Sequence, residues 1–484
     1  MLEVPLRVRS LELFRSVLGE AGFGRLARVA DAVRSRLEGR TVWNVNSTPV
    51  GGGVAEMLRT LLPYARGAGV DVRWVVLEGP PDFFRVTKRL HHALHGASGD
   101  GSPLDEEARS VYEKTIRDNA TELLGLVRPG DVVLLHDPQP AGLAPALLKM
   151  GALVVWRCHI GRDVRNEEVE KGWAFLQPYL RDVPAFVFSR RTYVPPFLQP
   201  SRVAIVRPSI DVFSPKNQEL DEATVRAILV HVGLVEGPPG DGKPVFVGED
   251  GAPRRVDRCA DVVRLGRAPE WEAPLVVQVS RWDPLKDPVG VMRGFADLVS
   301  QDESRRVHLL LAGPNVHAVA DDPEGAKVFD EVLTAWRALP HSVRQRVHLA
   351  NLPMADVEEN AAIVNAIQRH AAVVVQKSLE EGFGLTVTEA MWKARPVVAS
   401  AVGGIQDQIV HGVHGLLLRD PRDLASFGKA LATLLDDPAY ARRLGENARE
   451  RVRKKFLGIQ QLVKYAALIL RLDRARRSWE GGRE

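Results

Sequence analysis

Residues 376–404 read QKSLEEGFGLTVTEAMWKARPVVASAVGG, and this segment predicts the end of one strand, a loop, a helix and a second strand in succession. The apolar run 371–375 just before it is typical of a strand buried in a parallel sheet. The loop covers 380–384, helical spacing covers 385–393, and Pro396 with three apolar residues opens the next strand. In open α/β sheets such a loop lies at the carboxyl edge of the strands, where ligands bind.

The loop combines glycines with the start of a helix, and together they favour an anion. Gly382 and Gly384 let the backbone approach a ligand closely. The first N–H groups of the helix, around Leu385 and Thr386, have no partner within the helix and favour a negatively charged group. The sequence therefore predicts a diphosphate site at residues 382–386.

Two carboxylates flank this predicted site. Glu381 lies in the loop, and Glu389 lies on the helix. Because a carboxylate would repel a phosphate, we expect each to accept hydrogen bonds from sugar and ribose hydroxyls of the same ligand. The alternative is a glycine-rich turn with two solvated glutamates. The flanking strand and the Gly403-Gly404 turn favour the ligand site.

Residues 381–404, EGFGLTVTEAMWKARPVVASAVGG, resemble the donor-binding signature of retaining GT-B glycosyltransferases. The resemblance implies an α/β fold with two Rossmann-like domains facing across a cleft, and a nucleotide-sugar donor. Carried over by position, it implies that Glu381 contacts the donor sugar and that Glu389 contacts the ribose.

The composition is that of a globular protein with room for two α/β domains. The chain has 484 residues, of which 45% are hydrophobic and 26% are charged. Its two cysteines imply no disulfide framework, and no signal peptide or membrane-spanning run is visible, so we expect a cytoplasmic protein without a membrane partner. The net charge of +4 mildly favours anionic ligands. Acidic and basic residues are mixed, so we expect no nucleic-acid partner.

A second glycine-rich turn follows the first strand predicted in the first domain, 42–45. Gly51, Gly52 and Gly53 precede a helical pattern, which makes a backbone site for a phosphate or a sugar. A tight turn without a ligand is the alternative. The spacing lacks G-x-G-x-x-G and a GK[ST] ending, which disfavours a dinucleotide site and a P-loop.

Two histidines follow predicted strands at 131–135 and 153–156. His136 with Asp137, and His159, therefore lie at carboxyl ends of strands, which are cleft positions in this topology. Hydrogen bonding to sugar hydroxyls is the favoured role, and a structural role competes with it. Because no H-E-x-x-H or D-x-D spacing is present, we expect no metal site.

Two cations follow the strand at 275–280, which opens the second sheet. Arg281 and Lys286 lie in the loop RWDPLKDP, residues 281–288. An arginine fork and a lysine point charge clamp a diphosphate and stabilise negative charge on a departing nucleotide. Surface salt bridging is the alternative.

The order of predicted elements, together with the resemblance, divides the chain into four parts. They are a helical extension at 1–39, an acceptor-side domain at 40–212, a nucleotide-sugar-binding domain at 213–456 and a helix at 457–484 that crosses back to the first domain. Apolar spacing in 7–38 predicts two short helices separated near Gly22-Phe23-Gly24. Residues 232–270, rich in glycine, proline and charge, indicate an insertion of loops or hairpins.

Further segments narrow the resemblance to trehalose synthases, which join a nucleotide-activated glucose to free glucose. The matching segments are NVNST (44–48), GGGVAE (51–56), EGPPDFFRVTKRLHHALHG (78–96), HDPQPAG (136–142), WRCHIG (156–161), QVSRWDPLKDP (278–288), VNAIQR (364–369) and EGFGLTVTEAMWK (381–393). The insertion at 232–270 and Gly161-Arg162-Asp163 depart from the pattern.

This resemblance implies retaining transfer of glucose from ADP- or UDP-glucose to the anomeric hydroxyl of glucose, without a covalent enzyme nucleophile. The implied catalytic residues are Arg281, Lys286, Glu381 and His159. The implied donor contacts are Gly52, Gly53, Arg281, Lys286, Glu381, Gly382, Gly384, Leu385, Thr386 and Glu389. The implied acceptor contacts are Asn46, Asp137 and His159.

The resemblance also bears on partners and cofactors. It implies small-molecule substrates, no required cofactor beyond the nucleotide-sugar co-substrate, and a homodimer, while it leaves dependence on Mg²⁺ open. Two alternative functions remain at this stage. One is a GT-B glycosyltransferase with another sugar or sugar-phosphate acceptor, and the other is a nucleotide-sugar-binding protein without turnover.

Overall fold

The computed structural model describes residues 1–50, 52–238, 240–316 and 323–480. They form two compact units, of which one comprises Met1–Ser209 with a segment starting at Gly458, and the other comprises Ile210–Leu457. Each unit contains its own mostly parallel sheet. No helix in the described ranges has the length and apolar content needed to cross a membrane.

The sheet of the first unit has the strand order β1-β3-β2-β4-β5-β6-β7. Its strands are β1 (Leu2–Val4), β2 (Val42–Asn46), β3 (Val72–Val76), β4 (Val132–His136), β5 (Leu153–Cys158), β6 (Ala185–Phe188) and β7 (Val203–Ile205). All neighbours pair in parallel except β1, which runs antiparallel to β3. Because the parallel strands share one direction, their carboxyl ends meet at one edge.

The helices of the first unit join these strands and close the unit. They are α1 (Arg15–Arg36), α2 (Gly52–Gly67), α3 (Pro81–Leu94), α4 (Glu106–Leu126), α5 (Ala144–Lys149), α6 (Glu167–Leu180) and, from the end of the chain, α16 (Gly458–Glu480). Asp105 and Asn166 cap α4 and α6 through side-chain oxygens.

Alternation of side chains along the strands gives this sheet two apolar faces. On one face, Trp43 and Trp156 pack with apolar residues of α3, α4 and α6. On the other face, Trp74 and Leu134 pack with residues of α1, α2 and α16. The sheet is therefore covered by helices on both sides, as in doubly wound α/β folds.

The second unit repeats this plan with the strand order β10-β13-β12-β11-β14-β15-β16. Its sheet strands are β10 (Asp261–Val263), β11 (Leu275–Val279), β12 (His308–Pro314), β13 (Val347–Leu352), β14 (Val373–Gln376), β15 (Val397–Ser400) and β16 (Leu416–Leu418). Its helices are α7 (Glu222–His231), α8 (Pro288–Gln301), α9 (Pro323–Arg337), α10 (His341–Arg344), α11 (Val357–His370), α12 (Leu385–Trp392), α13 (Ile405–Gln408), α14 (Leu424–Asp436) and α15 (Pro438–Lys455). The two-unit α/β architecture predicted from the sequence is confirmed.

Three local features differ from the sequence expectations or add to them. The predicted break near Gly22-Phe23-Gly24 is wrong, because α1 is interrupted at Gly19, whose φ of 68° and ψ of 169° are not helical. The region 232–270 contains a small hairpin, β8 (Val245–Val247) with β9 (Pro253–Arg255), as its composition indicated. The same region supplies β10, which joins the main sheet antiparallel to β13.

Candidate active site

Two loops of the second unit meet at the carboxyl edge of its sheet. The first follows β11 and contains a short 3-10 turn, Pro284–Lys286, whose start is fixed by Asp283 accepting from Leu285 N at 2.8 Å. The second follows β14, the parallel neighbour of β11. Lys286 Nζ donates to Glu381 Oε2 at 2.6 Å, and the two side chains are only 16% and 11% exposed. Tertiary structure thus joins two predicted catalytic residues.

A chain of polar side chains extends from this ion pair to the start of α12. Ser378 Oγ donates to Glu381 Oε2 at 3.1 Å, and Gln376 Nε2 donates to Ser378 Oγ at 2.9 Å. Thr386 Oγ1 in turn donates to Gln376 Oε1 at 3.0 Å. These contacts orient the carboxylate of Glu381 beside the helix start.

The backbone of this loop depends on two glycines. Gly384 has a φ of 80° and precedes α12 without a side-chain cap, so the first N–H groups of the helix receive no such partner. A Cβ at Gly403 would lie 1.5 Å from the carbonyl oxygen of Glu381, so only glycine fits there. The Gln408 amide donates to the backbone carbonyls of Phe383 and Gly384, and these hydrogen bonds hold the loop in place.

The structure places Arg281 differently from Lys286. Its side chain is 70% exposed, and its Nη2 lies 3.4 Å from Asp283 Oδ2. Arg281 is therefore exposed, whereas Lys286 is mostly buried. Binding of one diphosphate by both cations stays a prediction.

The carboxylate of Glu389 is buried, with 5% of its side chain exposed. Lys216 Nζ lies 3.5 Å from Oε1 of Glu389. The other carboxyl oxygen of Glu389, Oε2, has no hydrogen-bond partner among the described residues. Lys393 Nζ donates to the carbonyl of Glu389 at 3.3 Å and to Asn217 Oδ1 at 3.0 Å. Burial lowers the pKa of Lys393 to about 7. Sequence reasoning missed both lysines. Lys216 belongs to no recognised segment, and Lys393 was given no role although it ends the segment EGFGLTVTEAMWK.

In the first unit, a histidine pair lies at the carboxyl edge of the sheet. Nε2 of His136 lies 3.1 Å from Asn44 Oδ1, and its Nδ1 lies 3.1 Å from His159 Nε2. Burial lowers the pKa of both histidines, that of His136 to about 3, so both rings are neutral at pH 7. A neutral imidazole has one N–H donor and one acceptor nitrogen. If His136 donates from Nε2 to Asn44 Oδ1, its Nδ1 is the acceptor, and His159 must donate to it from Nε2. The Nδ1 of His159 is then left as an acceptor.

Asp137 and Arg157 lie beside these histidines. Asp137, at a φ of 66°, accepts from the backbone N–H of His159 at 2.7 Å through Oδ1. Burial raises the pKa of Asp137 to about 7, although the charge of Arg157 acts in the opposite direction. Arg157 is fully buried and donates to Ser189 Oγ at 3.0 Å, while its Nε and Nη1 have no partner among the described residues. Sequence reasoning gave Arg157 no role, although a lone arginine in the apolar strand LVVWRC is a usable signal.

The remaining predicted contacts lie at the turn after β2. The Asn46 amide donates to the carbonyl of Thr48 at 2.7 Å and accepts from Trp74 Nε1 at 2.7 Å, so it already has a structural role. Gly52 and Gly53 begin α2, and Gly51 lies outside the described residues. The described residues contain no group of three histidine, cysteine or acidic side chains arranged to hold a metal ion.

Two family models match the chain. Residues 44–195 match the one described as trehalose synthase, N-terminal domain, and residues 268–451 match glycosyl transferases group 1. A trehalose synthase of Pyrococcus horikoshii is 36% identical over 95% of this chain and 96% of its own length. A trehalose synthase of Rubrobacter xylanophilus is 37% identical over 93% of this chain and 94% of its own.

Solved structures of low sequence identity share the fold. An α,α-trehalose-phosphate synthase (UDP-forming) from Burkholderia vietnamiensis has a TM-score of 0.62 at 16% identity and covers 90% of this chain and 98% of its own. A sucrose-phosphate synthase from Thermosynechococcus elongatus has a TM-score of 0.59 at 18% identity and covers 92% of this chain and 100% of its own.

Proposed function

The chain belongs to the trehalose synthase family of GT-B glycosyltransferases, and on that premise we propose that it transfers glucose, with retention, from ADP- or UDP-glucose to free glucose. The product is α,α-trehalose. The bond from C1 of the donor glucose to the diphosphate oxygen breaks, and a bond from C1 to the anomeric oxygen of the acceptor forms on the same face. The leaving phosphate takes the proton of the acceptor hydroxyl.

The contact between Lys286 and Glu381 is the single observation that carries this proposal. It places a cation and a carboxylate beside an uncapped helix start at the carboxyl edge of a parallel sheet. The cation and the N–H groups of Leu385 and Thr386 stabilise the diphosphate as it departs. The carboxylate accepts hydrogen bonds from hydroxyls of the donor glucose. Gly382 and Gly384 allow the approach.

The buried Glu389 supports a ribose contact. A buried carboxyl oxygen without a hydrogen-bond donor among the described residues, such as this Oε2, is unfavourable. A ribose hydroxyl would supply that hydrogen bond. Arg281, which is exposed beside the loop, adds a second cation for the diphosphate in this proposal.

The first unit contributes the proposed acceptor contacts. His159 presents Nδ1 as an acceptor for a sugar hydroxyl, and Asp137 holds the backbone of His159 in place. Asn46 would contact the acceptor by exchanging one of its two internal hydrogen bonds. Gly52 and Gly53 offer their backbone to the donor phosphate or the acceptor.

Product analysis tests this function. The protein is incubated with ADP-glucose or UDP-glucose and ¹³C-labelled glucose, and the disaccharide is identified by NMR. We expect α,α-trehalose with one labelled ring. Product only with a phosphorylated acceptor would support the sugar-phosphate alternative, and nucleotide binding without product would support a non-catalytic binding protein. Running each reaction with EDTA and with Mg²⁺ measures metal dependence.

The proposal includes a homodimer acting on small molecules, which rests on the family resemblance, and a cytoplasmic location, which rests on the composition. Sedimentation equilibrium measures the assembly directly. A mass of twice 53.3 kDa is expected, and a monomer at micromolar concentration would contradict the dimer alone, without affecting the proposed reaction.

A further inference from the structure

A pocket of about 360 Å³ opens in the second unit at the amino edge of its sheet. Arg369 and His370 end α11 shortly before β14, and Arg395 follows α12 shortly before β15. All three side chains line the pocket. The Lys286–Glu381 pair lies at the other end of β14, whose four residues span about 13 Å. The pocket is thus separate from the proposed donor site.

Two guanidinium groups dominate the charge of this pocket. Arg395 Nη1 donates to the carbonyl of Ala371 at 3.4 Å, whereas its buried Nε has no hydrogen-bond partner among the described residues. Arg369 donates to Asn365 Oδ1 at 3.0 Å and lies 2.8 Å from a carboxylate oxygen of Glu219. No ion pair in the described part of the chain places a carboxylate at Arg395.

The two arginines also act on each other. Burial lowers the pKa of both, and the charge of Arg369 lowers that of Arg395 further. A nearby anion would offset this repulsion between like charges in a partly buried position. Glu219 already supplies a carboxylate to Arg369, so Arg395 is the cation of this pair that lacks one among the described residues.

The other described polar residues of the lining make no ion pair with Arg395. Burial lowers the pKa of His370 to about 4 and the charge of Arg395 acts in the same direction, so the ring is neutral at pH 7. It stacks on Trp271 with ring centroids 4.1 Å apart. Glu222, an exposed residue in the first turn of α7, is the single carboxylate among the described lining residues.

We propose that this pocket binds a phosphate monoester of metabolite size, such as a hexose phosphate, through Arg369 and Arg395. A guanidinium binds phosphate oxygens in a bidentate geometry, and no carboxylate of the described residues competes with a ligand for Arg395. A volume of about 360 Å³ lies in the range of small-molecule sites. Inorganic phosphate is the smallest ligand of the same chemistry.

Calorimetric titration of the full chain tests the proposal. Glucose 6-phosphate and inorganic phosphate are titrated at constant ionic strength set with chloride. The Arg395→Gln variant is expected to weaken binding by about tenfold or more, because it removes a charge-assisted contact. Arg442→Gln, at an exposed position of α15, is the matched control and should leave binding unchanged.

Two further variants separate this pocket from the proposed donor site. Glu222→Gln removes the lining carboxylate at an exposed position, so binding should tighten several-fold even if the Arg395 variant does not fold. Lys286→Ala should leave phosphate-monoester binding unchanged. The proposal is overturned if the wild type binds neither probe. It is also overturned if Glu222→Gln does not tighten binding, or if Lys286→Ala abolishes binding that Arg395→Gln leaves intact.

Discussion

Lys286 Nζ lies 2.6 Å from Glu381 Oε2, so two loops separated by 95 residues of sequence are joined by one mostly buried ion pair. The parallel pairing of β11 with β14 explains this contact, because both loops leave the same edge of the sheet. In the proposed reaction, the pair holds each charge in position before the donor binds. This preorganisation lets the lysine stabilise the leaving diphosphate without a large rearrangement.

Replacing Lys286 with alanine is expected to lower kcat by about 10²–10³-fold, because it removes one charge that stabilises the departing diphosphate. Steady-state kinetics of trehalose formation measures the loss. Lys429→Ala, at an exposed position of α14, is the matched control. Near-normal turnover of Lys286→Ala would contradict the diphosphate role.

Gly384→Ala should destabilise the protein by about 1–2 kcal/mol, because an L-residue is strained in the left-handed region. The added Cβ would lie 3.2 Å from Glu381 Cγ, so we also expect a lower kcat/KM. Gly382→Ala is the matched control in the same loop. A Cβ there meets no atom within 4 Å, and its stability should stay within about 0.5 kcal/mol of the wild type. Equal losses of stability in both variants would contradict this explanation.

The buried amine of Lys393 should make stability depend on pH. Its pKa is about 7 in the folded protein against 10.5 for the ordinary side chain, so between these values the unfolded chain binds the extra proton. Wild-type stability should therefore rise relative to Lys393→Met as the pH increases from 7, by about 1.4 kcal/mol per pH unit. Urea unfolding at pH 7, 8 and 9 measures this slope. Lys429→Met is the control, and parallel curves for wild type and Lys393→Met would refute the prediction.

The carboxyl group of Asp137 should show the opposite dependence. Its folded-state pKa of about 7 exceeds the ordinary 3.8, so the folded protein retains a proton that the unfolded chain has released. Wild-type stability should fall relative to Asp137→Asn as the pH rises from about 4 to about 7, and the difference should then level off. The asparagine can still accept from the backbone N–H of His159. Thermal unfolding from pH 4 to 8 measures this difference, and Asp118→Asn, at an exposed position, is the control. If the stability difference between wild type and Asp137→Asn did not change with pH, Asp137 would be ionised throughout and the prediction would be wrong.

Local sequence patterns were enough to predict the main strands and the two loops. The apolar run before Gln376, the glycine loop and the helical spacing after it correspond to β14, the loop and α12. By contrast, β1, β10 and β16 went unpredicted. All three are three-residue strands at the edges of their sheets, too short to show the apolar periodicity by which longer strands are recognised.

The surroundings of the site residues were only partly within the reach of sequence patterns. Lys216 lies far from Glu389 in sequence, and nothing local marks it as a neighbour. Lys393 follows Glu389 by four residues, a spacing that makes helix residues neighbours, but this contact was not predicted. The helix break at Gly19 was likewise misplaced by three residues or more, because several glycines in that region are equally able to interrupt a helix.

The sequence alone determined the fold class, the strand ends and the residue types available at them, because backbone preference and apolar periodicity act over short distances. Only the tertiary structure decided which of those residues meet. It paired Lys286 with Glu381, left Arg281 exposed, buried Arg157 without a full set of partners and placed two arginines together in one pocket. Ion pairs, burial and pKa values depend on through-space distances between distant segments, and those distances exist only once the sheets have formed.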